Sequence, residues 1–332
     1  MIRDLSGVGI LGMGSYLPEK VLNNFDLEKM VDTSDEWITK RTGISERRIM
    51  PDGAAAFQMG ILAAERALED AGVKAPEIDL IIVTTETPDY LTPSSSCLIQ
   101  AGIGAVNAAA FDLNAACSGF VYALTVAKPL IQTGYYKYIL IVACEGLSRV
   151  VDWEDRNTCV LFGDAAAAAV LGPVDNNMGI LSTYIGADGT QGYNITIPCC
   201  FLDEGEMKKR LHENKRVLWM DGSEVFKFAV RIMAHATEKI LENSNMSLND
   251  VKVIIPHQAN IRIIDGAAKK LGIDPGMIYT NVDKYGNISS ASIPVALNEA
   301  AEKGIVSKGD NIILVGFGGG LTWASALIRW NK

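Results

Sequence analysis

The chain has 332 residues, of which 48% are hydrophobic and 21% are charged, and its formal net charge at pH 7 is −9. This length predicts two domains or one large fold of two parts, and the composition excludes an intrinsically disordered chain. The negative charge argues against non-specific binding to nucleic acid or to an anionic membrane surface.

No targeting or membrane segment is predicted. Residues 1–6 have no apolar core after a basic head, which argues against a signal peptide. The longest uncharged stretch, residues 90–111, contains Pro, Ser, Gln and Asn and is not a membrane span. The six cysteines form no C-x-x-C pair and no metal spacing. We therefore expect a cytoplasmic protein with reduced thiols and no metal ion.

One order of elements occurs twice along the chain. Hydrophobic periodicity predicts a helix over 54–72 with strands over 78–84 and 138–143, then a helix over 224–243 with strands over 251–256 and 311–316. There are 59 residues from Asp79 to Tyr138 and 61 from Asp250 to Asn311. This spacing indicates duplication, although alternating helices and strands are also usual in an α/β protein without it.

The repeat predicts an α/β fold of two duplicated halves, residues 1–174 and 175–332. Continuous apolar strands between helices predict mainly parallel sheets covered on both faces. No long linker separates the halves, so we expect one body with a cleft between them. Residues 203–216 are densely charged, which indicates either a solvated surface segment or a mobile flap beside a site.

Cys117 is the first candidate nucleophile, because it stands just before the apolar helical run of residues 121–127 and among small residues. Free amide groups and the positive end of the dipole at a helix N-terminus favour a thiolate, so we expect its pKa to lie below the free value of about 8.5. A thiolate is a nucleophile for acyl transfer. The alternative is a small buried hydrophobe, which is how we interpret the other five cysteines.

Three segments of the second half carry further candidate residues. His257 directly follows the strand over 251–256, a position that lines the crevice in α/β folds. Asn287 lies in a glycine-flanked polar turn, which is also typical of helix capping. The glycine run at 316–320 can present backbone N–H groups to a ligand or form a tight turn. No lysine follows it, which argues against a nucleotide P-loop.

These segments together resemble β-ketoacyl-[acyl carrier protein] synthase III, the condensing enzyme that initiates type II fatty acid synthesis. The motifs that carry the resemblance are Ala-Ala-Cys117-Ser-Gly, His257-Gln-Ala-Asn, Tyr-Gly-Asn287-Ile-Ser-Ser and Gly-Phe-Gly-Gly-Gly320-Leu-Thr-Trp. The resemblance covers essentially the whole chain. It implies a thiolase-like fold, in which two duplicated halves form five layers in the order α-β-α-β-α, and a homodimer.

The resemblance implies a decarboxylating Claisen condensation. An acyl-CoA primer would acylate Cys117, and the backbone N–H groups of Cys117 and Gly319 would hold the oxyanion. Malonyl-[acyl carrier protein] would then bind, and His257 and Asn287 would donate hydrogen bonds to its thioester carbonyl as CO2 leaves. Acyl-CoA and malonyl-[acyl carrier protein] would be substrates, so no cofactor is expected.

The resemblance also implies where the substrates bind. The residues that would contact CoA are Thr33, Trp37, Arg41, Arg156, Gly222, Phe226, Ala259 and Asn260. Arg262, Lys269 and Lys270 would dock the acidic carrier protein. Thr92 stands where many members of the family have Phe at the end of the primer pocket, so its smaller side chain predicts primers longer or more branched than acetyl.

Other functions stay open at this point. Glu86 follows the strand over 78–84 at about the place where hydroxymethylglutaryl-CoA synthases have a general-base Glu. A related acyltransferase or a non-decarboxylating condensing enzyme is therefore the nearest alternative. An alternative of a different class is a non-catalytic module that binds acyl groups or carrier protein. Such a module is expected to lack the nucleophile or the glycines, and this sequence has both.

Overall fold

The computed structural model describes residues 7–198 and 217–332. The charged segment 203–216, Cys199 and Cys200 lie outside the described residues. The strands are β1 (Gly7–Tyr16), β2 (Val21–Asn23), β3 (Glu46–Arg48), β4 (Leu80–Thr84), β5 (Ala109–Leu113), β6 (Ile139–Gly146), β7 (Asp164–Val174), β8 (Gly179–Ala187), β9 (Ile195–Thr196), β10 (Trp219–Met220), β11 (Val253–Pro256), β12 (Asn311–Gly318) and β13 (Thr322–Arg329). The α-helices are α1 (Asn24–Leu27), α2 (Asp35–Thr42), α3 (Ala56–Ala71), α4 (Ser95–Ile103), α5 (Gly119–Gln132), α6 (Gly222–Asn243), α7 (Ile261–Leu271), α8 (Val282–Tyr285) and α9 (Ser292–Glu302).

Two mixed sheets form the framework. The first has the strand order β1-β7-β6-β4-β5 and the second the order β11-β12-β13-β8. Only the pairs β6-β4, β4-β5 and β11-β12 are parallel, so the prediction of mainly parallel sheets is wrong. Residues 319–321 join β12 to β13, and residues 147–163 join β6 to β7, without a crossover α-helix in either link. Strands joined in this way lie antiparallel.

Five layers follow from the two faces of each sheet. Ile82 of the first sheet and Leu314 of the second face inward, onto the central helices α5 and α9. Ile81, one residue along β4, faces outward onto α3 and α4, because side chains alternate along a strand. Ile313 likewise faces outward onto α6 and α7. The predicted order of layers, α-β-α-β-α, is confirmed.

The turns that lead into the two central helices have matching backbone conformations. Ala116 and Ser289 each lie three residues before their helix, α5 and α9, and each has a φ of +46°. This left-handed conformation costs a non-glycine residue about 1–3 kcal/mol, and such strain is concentrated at functional sites.

Along the chain, the strands of the first sheet end at Val174 and those of the second begin at Gly179. The division into domains at residue 174 stays a prediction. In the two described ranges no helix is long and apolar enough to cross a membrane.

Because β1 packs closely on α3, we predict that Gly12→Ala markedly lowers the stability of the fold. A Cβ at Gly12 would lie 2.3 Å from the backbone N of Ala71 and 2.5 Å from the backbone O of Ala67. Backbone atoms cannot turn away, so we expect the free energy of unfolding to fall by about 3 kcal/mol. The control is Gly189→Ala, where the added Cβ meets nothing within 4 Å and the expected change is below about 0.5 kcal/mol. Urea denaturation measures both, and equal stabilities of the two variants would contradict this packing.

Candidate active site

A cavity of about 1100 Å³ lies between the two halves. The three side chains predicted to be catalytic, Cys117, His257 and Asn287, all line it, and so does Gly319. Cys117 belongs to the first half and the other three residues to the second. The structure therefore brings the whole predicted group together at the predicted cleft.

Cys117 lies in a 3₁₀ turn over Ala116–Ser118 that leads directly into α5. The end of β12 packs closely against it, because a Cβ at Gly318 would lie only 2.6 Å from the backbone N of Cys117. Glycine at this position thus lets the two backbones approach each other. Thr322 ties the loops together, since its hydroxyl donates to the carbonyl of Ala115 at 2.9 Å. The nucleophile and Gly319 accordingly lie on one wall of the cavity.

The prediction of a lowered pKa for Cys117 is wrong. Burial raises the pKa of this thiol well above its usual value, and the nearby Glu86 carboxyl raises it further. The sequence argument took account of the helix end but could not show that the thiol is withdrawn from water and lies beside an acid. In the resting site Cys117 is a thiol, and it must lose a proton when it attacks.

His257 is held as a neutral imidazole. Its side chain is 1% exposed, and burial lowers its pKa to about 3. The ring packs edge-on against Phe317 with centroids 5.1 Å apart, and Nδ1 lies 2.6 Å from Ser292 Oγ. The backbone N–H of Gln258 donates to the same oxygen at 3.4 Å. This leaves the Ser292 hydroxyl proton available to donate to Nδ1, and in that tautomer the ring proton is on Nε2, which acts as a donor.

Asn287 is fixed by its neighbours on both sides. Its backbone N–H donates to the carbonyl of Leu161 at 2.8 Å, and its own carbonyl accepts from the N–H of Gly163 at 3.0 Å. The side-chain Oδ1 accepts from the backbone N–H of Ser289 at 2.9 Å. With Oδ1 engaged, the amide Nδ2 is the group that can donate into the cavity. His257 and Asn287 therefore offer two uncharged donors.

Glu86 lines the same cavity. Burial and the neighbouring Glu145 carboxylate raise the pKa of Glu86 to about 8. Glu145 accepts hydrogen bonds from the hydroxyls of Thr87 at 2.7 Å and Ser290 at 2.6 Å, which stabilise its charge. Glu86 is therefore the protonated member of the pair at neutral pH.

Most of the residues predicted to bind CoA lie on the cavity wall. They are Trp37, Arg41, Gly222, Phe226, Ala259 and Asn260. The guanidinium groups of Arg41 and Arg156 lie 4.7 and 5.1 Å from the centre of the Trp37 ring. Arg156 thus reaches the site through Trp37 without lining the cavity, and Thr33 lies outside the lining residues. The indole and the two cations form a surface suited to a purine and phosphates.

The predicted docking residues lie along α7. Arg262 lines the cavity, and its guanidinium lies 5.7 Å from the centre of the Phe226 ring. Lys269 and Lys270 are in the last turn of the helix, and Lys269, seven residues after Arg262, shares its face. Thr92 is exposed and lies outside the lining residues of the cavity. Within one chain the structure does not bring it to the site.

Two side chains of the site were not predicted from the sequence. Ser292 orients His257, and Ser289 lies beside Cys117 and Glu86. Both belong to the polar segment after Asn287, where the density of hydroxyls was the only signal and indicated capping. Among the described side chains no group of three or more His, Cys, Asp or Glu residues could hold a metal ion.

Comparison with known proteins identifies one family across both halves. The family described as 3-oxoacyl-[acyl-carrier-protein] synthase III matches residues 111–189, and its C-terminal part matches residues 241–330. The β-ketoacyl-[acyl-carrier-protein] synthase III of Caldanaerobacter subterraneus subsp. tengcongensis is 52% identical over 98% of each chain. The solved structure of this enzyme from Aquifex aeolicus is 45% identical, with a TM-score of 0.90 over 98% of this chain and 100% of its own. That from Thermus thermophilus is 44% identical, with a TM-score of 0.92 over 97% and 99%.

The neutral state of His257 predicts how stability depends on pH. The unfolded imidazole takes up a proton below about pH 6.5, whereas the folded one stays neutral down to about pH 3. The free energy of unfolding should therefore fall by about 1.4 kcal/mol for each pH unit below 6.5 on account of this residue. Denaturant titrations from pH 7 to pH 5 should show a shallower fall for His257→Gln. The control is the exposed His235→Gln. If the stability of His257→Gln depends on pH as strongly as that of the wild-type protein, a buried neutral imidazole at His257 is contradicted.

Proposed function

This chain belongs to the β-ketoacyl-[acyl-carrier-protein] synthase III family, and from that premise we propose that it condenses an acyl-CoA primer with malonyl-[acyl carrier protein]. The products are 3-ketoacyl-[acyl carrier protein], CoA and CO2, and the reaction initiates fatty acid synthesis. The observation that carries the proposal is the one cavity wall that brings Cys117 and Gly319 together with two uncharged donors, His257 and Asn287.

The first half-reaction acylates Cys117. Its sulfur attacks the thioester carbon of acyl-CoA, and the carbonyl oxygen becomes an oxyanion. The backbone N–H groups of Cys117 and Gly319 are the proposed donors to that oxyanion, and such donors typically contribute about 3–4 kcal/mol each. Collapse of the intermediate expels CoA and leaves the acyl group on the sulfur.

The second half-reaction uses the neutral donors. His257 Nε2–H and Asn287 Nδ2 donate to the thioester carbonyl of the malonyl group, so that CO2 departs as negative charge builds on this oxygen. The resulting carbanion attacks the acyl carbon on Cys117 and forms the new C–C bond. The C–S bond to Cys117 then breaks, and its electron pair returns to the cysteine sulfur as the 3-ketoacyl product leaves. A donor with a pKa of about 3 for its protonated form stabilises the enolate by hydrogen bonding and does not quench the carbanion with an acidic proton.

The cavity entrance fits the two carriers. Trp37, with Arg41 and Arg156 against its ring, is proposed to bind the nucleotide of CoA, and Thr33 lies near that end. The pantetheine arm would pass Gly222, Phe226, Ala259 and Asn260. Along α7, the cations of Arg262, Lys269 and Lys270 form a local basic surface for an acidic carrier protein, although the net charge of the chain is −9.

We further propose a homodimer with a shared primer pocket. Strand β5 is the edge of the first sheet, and an edge strand is a template for pairing with another chain. Large apolar side chains around it are exposed, namely Tyr90, Leu91, Val106 and Phe111. Thr92 lies in this exposed region, where it could reach a partner's primer pocket. Its small side chain supports the hypothesis of primers longer or more branched than acetyl.

The half-buried carboxyl of Glu86, on the wall of the same cavity, favours one second candidate. A base beside an acylated cysteine could remove a proton from the acyl group in a condensation without loss of CO2. A binding module without catalysis is disfavoured, because the nucleophile and the glycine loop both line the cavity.

The proposed location is the cytoplasm, where the free thiols of Cys117, Cys144 and Cys159 stay reduced. We also keep the proposal that the reaction needs no cofactor.

The proposed function is tested by a condensation assay with malonyl-[acyl carrier protein] and a panel of straight and branched acyl-CoA primers. We expect equal amounts of CO2 and 3-ketoacyl product, with primers longer than acetyl accepted. Cys117→Ala should lower the rate by about 10⁴-fold or more, because the covalent intermediate cannot form. The control is Cys97→Ala, which removes an exposed thiol. Product without CO2 would favour the second candidate, and a strict preference for acetyl would overturn the hypothesis about Thr92.

The docking surface predicts a selective effect of Arg262→Glu. We expect about a tenfold rise in KM for malonyl-[acyl carrier protein], since the charge now repels an acidic partner, and little change in the acylation of Cys117 by acyl-CoA. The matched control is Lys252→Glu, an exposed cation just before β11, at the end of that strand opposite His257. Steady-state kinetics and mass spectrometry of the acyl-enzyme measure the two steps. Equal losses in both steps would contradict a docking role.

A further inference from the structure

The proposed condensation does not account for Glu86. Its carboxyl reaches the cavity that holds Cys117 and is otherwise enclosed by protein. Its backbone N–H donates to Glu145 Oε2 at 3.2 Å, which fixes the start of the side chain. Glu86 is half-buried, and a carboxyl largely withdrawn from water beside a nucleophile is costly unless its charge or its proton has a use.

Glu145 is firmly anchored behind Glu86. Besides that backbone N–H, its carboxylate accepts from the hydroxyls of Thr85 at 3.2 Å, Thr87 at 2.7 Å and Ser290 at 2.6 Å. Burial raises the pKa of Glu145, and these four donors oppose that rise because they favour its charged form. Negative charge on Glu145 makes it harder for Glu86 to ionise and raises the pKa of Glu86.

Ser289 lies between this carboxyl and the thiol. Its side chain is fully buried, and its hydroxyl is close enough to Glu86 and Cys117 to lower the pKa of each. In the resting arrangement the hydroxyl has no hydrogen-bond partner among the described groups. A buried hydroxyl without a partner is unusual, and the backbone of Ser289 also has a strained φ of +46°.

The attacking thiol needs a proton acceptor, and the site offers few. His257 is a poor one, because burial has lowered its pKa to about 3. Glu145 already accepts from four donors and is not among the residues that line the cavity. Glu86 has a pKa of about 8, which is the closest match to a thiol among the groups that face Cys117.

We propose that Glu86 receives the thiol proton of Cys117 through the Ser289 hydroxyl when acyl-CoA acylates the enzyme. The inference rests on the proposed function, because it concerns the acylation half-reaction of the same site. It assigns to Glu86 a role different from the removal of a proton from the acyl group.

The proton movements balance over the step. The S–H bond of Cys117 breaks as its proton passes to Ser289 Oγ, and the hydroxyl proton of Ser289 passes to the Glu86 carboxylate. The sulfur electron pair forms the new C–S bond to the acyl carbon. When the tetrahedral intermediate collapses, the electron pair of the old C–S bond leaves with CoA. The proton on Glu86 then neutralises the CoA thiolate and restores the carboxylate.

This assignment fixes the pH dependence of acylation. The titratable groups around Glu86 are Glu145 from β6, Cys117 from the turn before α5 and His257 across the cavity. His257, whose pKa is lowered to about 3, stays neutral between pH 6 and pH 9, and the four donors to Glu145 favour its charged form. The carboxylate that accepts the proton is the minor form of Glu86 at neutral pH and reaches half of the population at about pH 8. The acylation rate should therefore rise with pH, with its inflection near pH 8, and level off about one pH unit higher.

The test is single-turnover acylation by acyl-CoA from pH 6 to pH 9.5, followed by intact-protein mass spectrometry. We expect Glu86→Gln to slow acylation by about a hundredfold at pH 8 and to abolish the inflection near pH 8. The control, Asp155→Asn, removes another carboxylate that lines the cavity and should keep the inflection. Melting temperatures verify that each variant is folded.

The opposite result has a clear meaning. If Glu86 is only a negative neighbour, Glu86→Gln removes a charge that raises the pKa of the thiol, and acylation becomes faster or stays unchanged. Either outcome overturns the proposal. Should Glu86→Gln fail to fold, Ser289→Ala decides the matter, because undiminished acylation in that variant overturns it equally. If the wild-type protein condenses normally and these variants acylate at full rate, only the proposed role of Glu86 is overturned. A wild-type protein that forms no 3-ketoacyl product instead contradicts the proposed function.

Discussion

The close approach of the glycine loop to the nucleophile turn is the contact on which the rest of the site depends. A Cβ at Gly318 would lie 2.6 Å from the backbone N of Cys117, so the two halves of the chain meet here backbone to backbone. The same junction contains the two strained turns at Ala116 and Ser289, from which the central helices start. Packing in both halves must hold this geometry, and the five-layered fold with both helices buried between sheets supplies that packing.

Enclosure at this junction sets the protonation state of each group. Burial keeps the Cys117 thiol and the Glu86 carboxyl protonated at rest and keeps His257 neutral. Around the nucleophile, the site therefore resembles an apolar pocket with a few directed hydrogen-bond donors more than an array of charged side chains. This suits a reaction whose charges appear transiently, first on a thioester oxygen and then on an enolate, because fixed dipoles in a dry cavity stabilise such charges well. The cations Arg41 of α2 and Arg262 of α7 line the same cavity, where they can meet the charged parts of the carriers.

Sequence patterns predicted the features that depend on local order. The apolar runs gave β4, β6, β11 and β12, and the rule that residues after such strands line a crevice led to His257. The antiparallel strands β7 and β13, which lie in the interior of their sheets, were missed. Hydrophobic periodicity shows that a strand is buried but not in which direction the next strand runs. The prediction for the pKa of Cys117 was wrong for a related reason. The main causes of its shift are desolvation and Glu86, and both come from residues distant in sequence. Ser289 and Ser292 could not be told from capping residues until their partners were known.

The central claim is that Cys117 carries the acyl group until the neutral pair, His257 and Asn287, has driven off CO2. The most direct measurement isolates the acyl-enzyme and then adds malonyl-[acyl carrier protein] in a single turnover, following the intact protein mass and CO2 release together. The account predicts that the acyl mass disappears in step with CO2 and with 3-ketoacyl product. In His257→Gln and Asn287→Ala the acyl mass should persist, because decarboxylation is blocked while acylation is not. Loss of the acyl group from the wild-type enzyme to water or back to CoA, without CO2, would contradict the account.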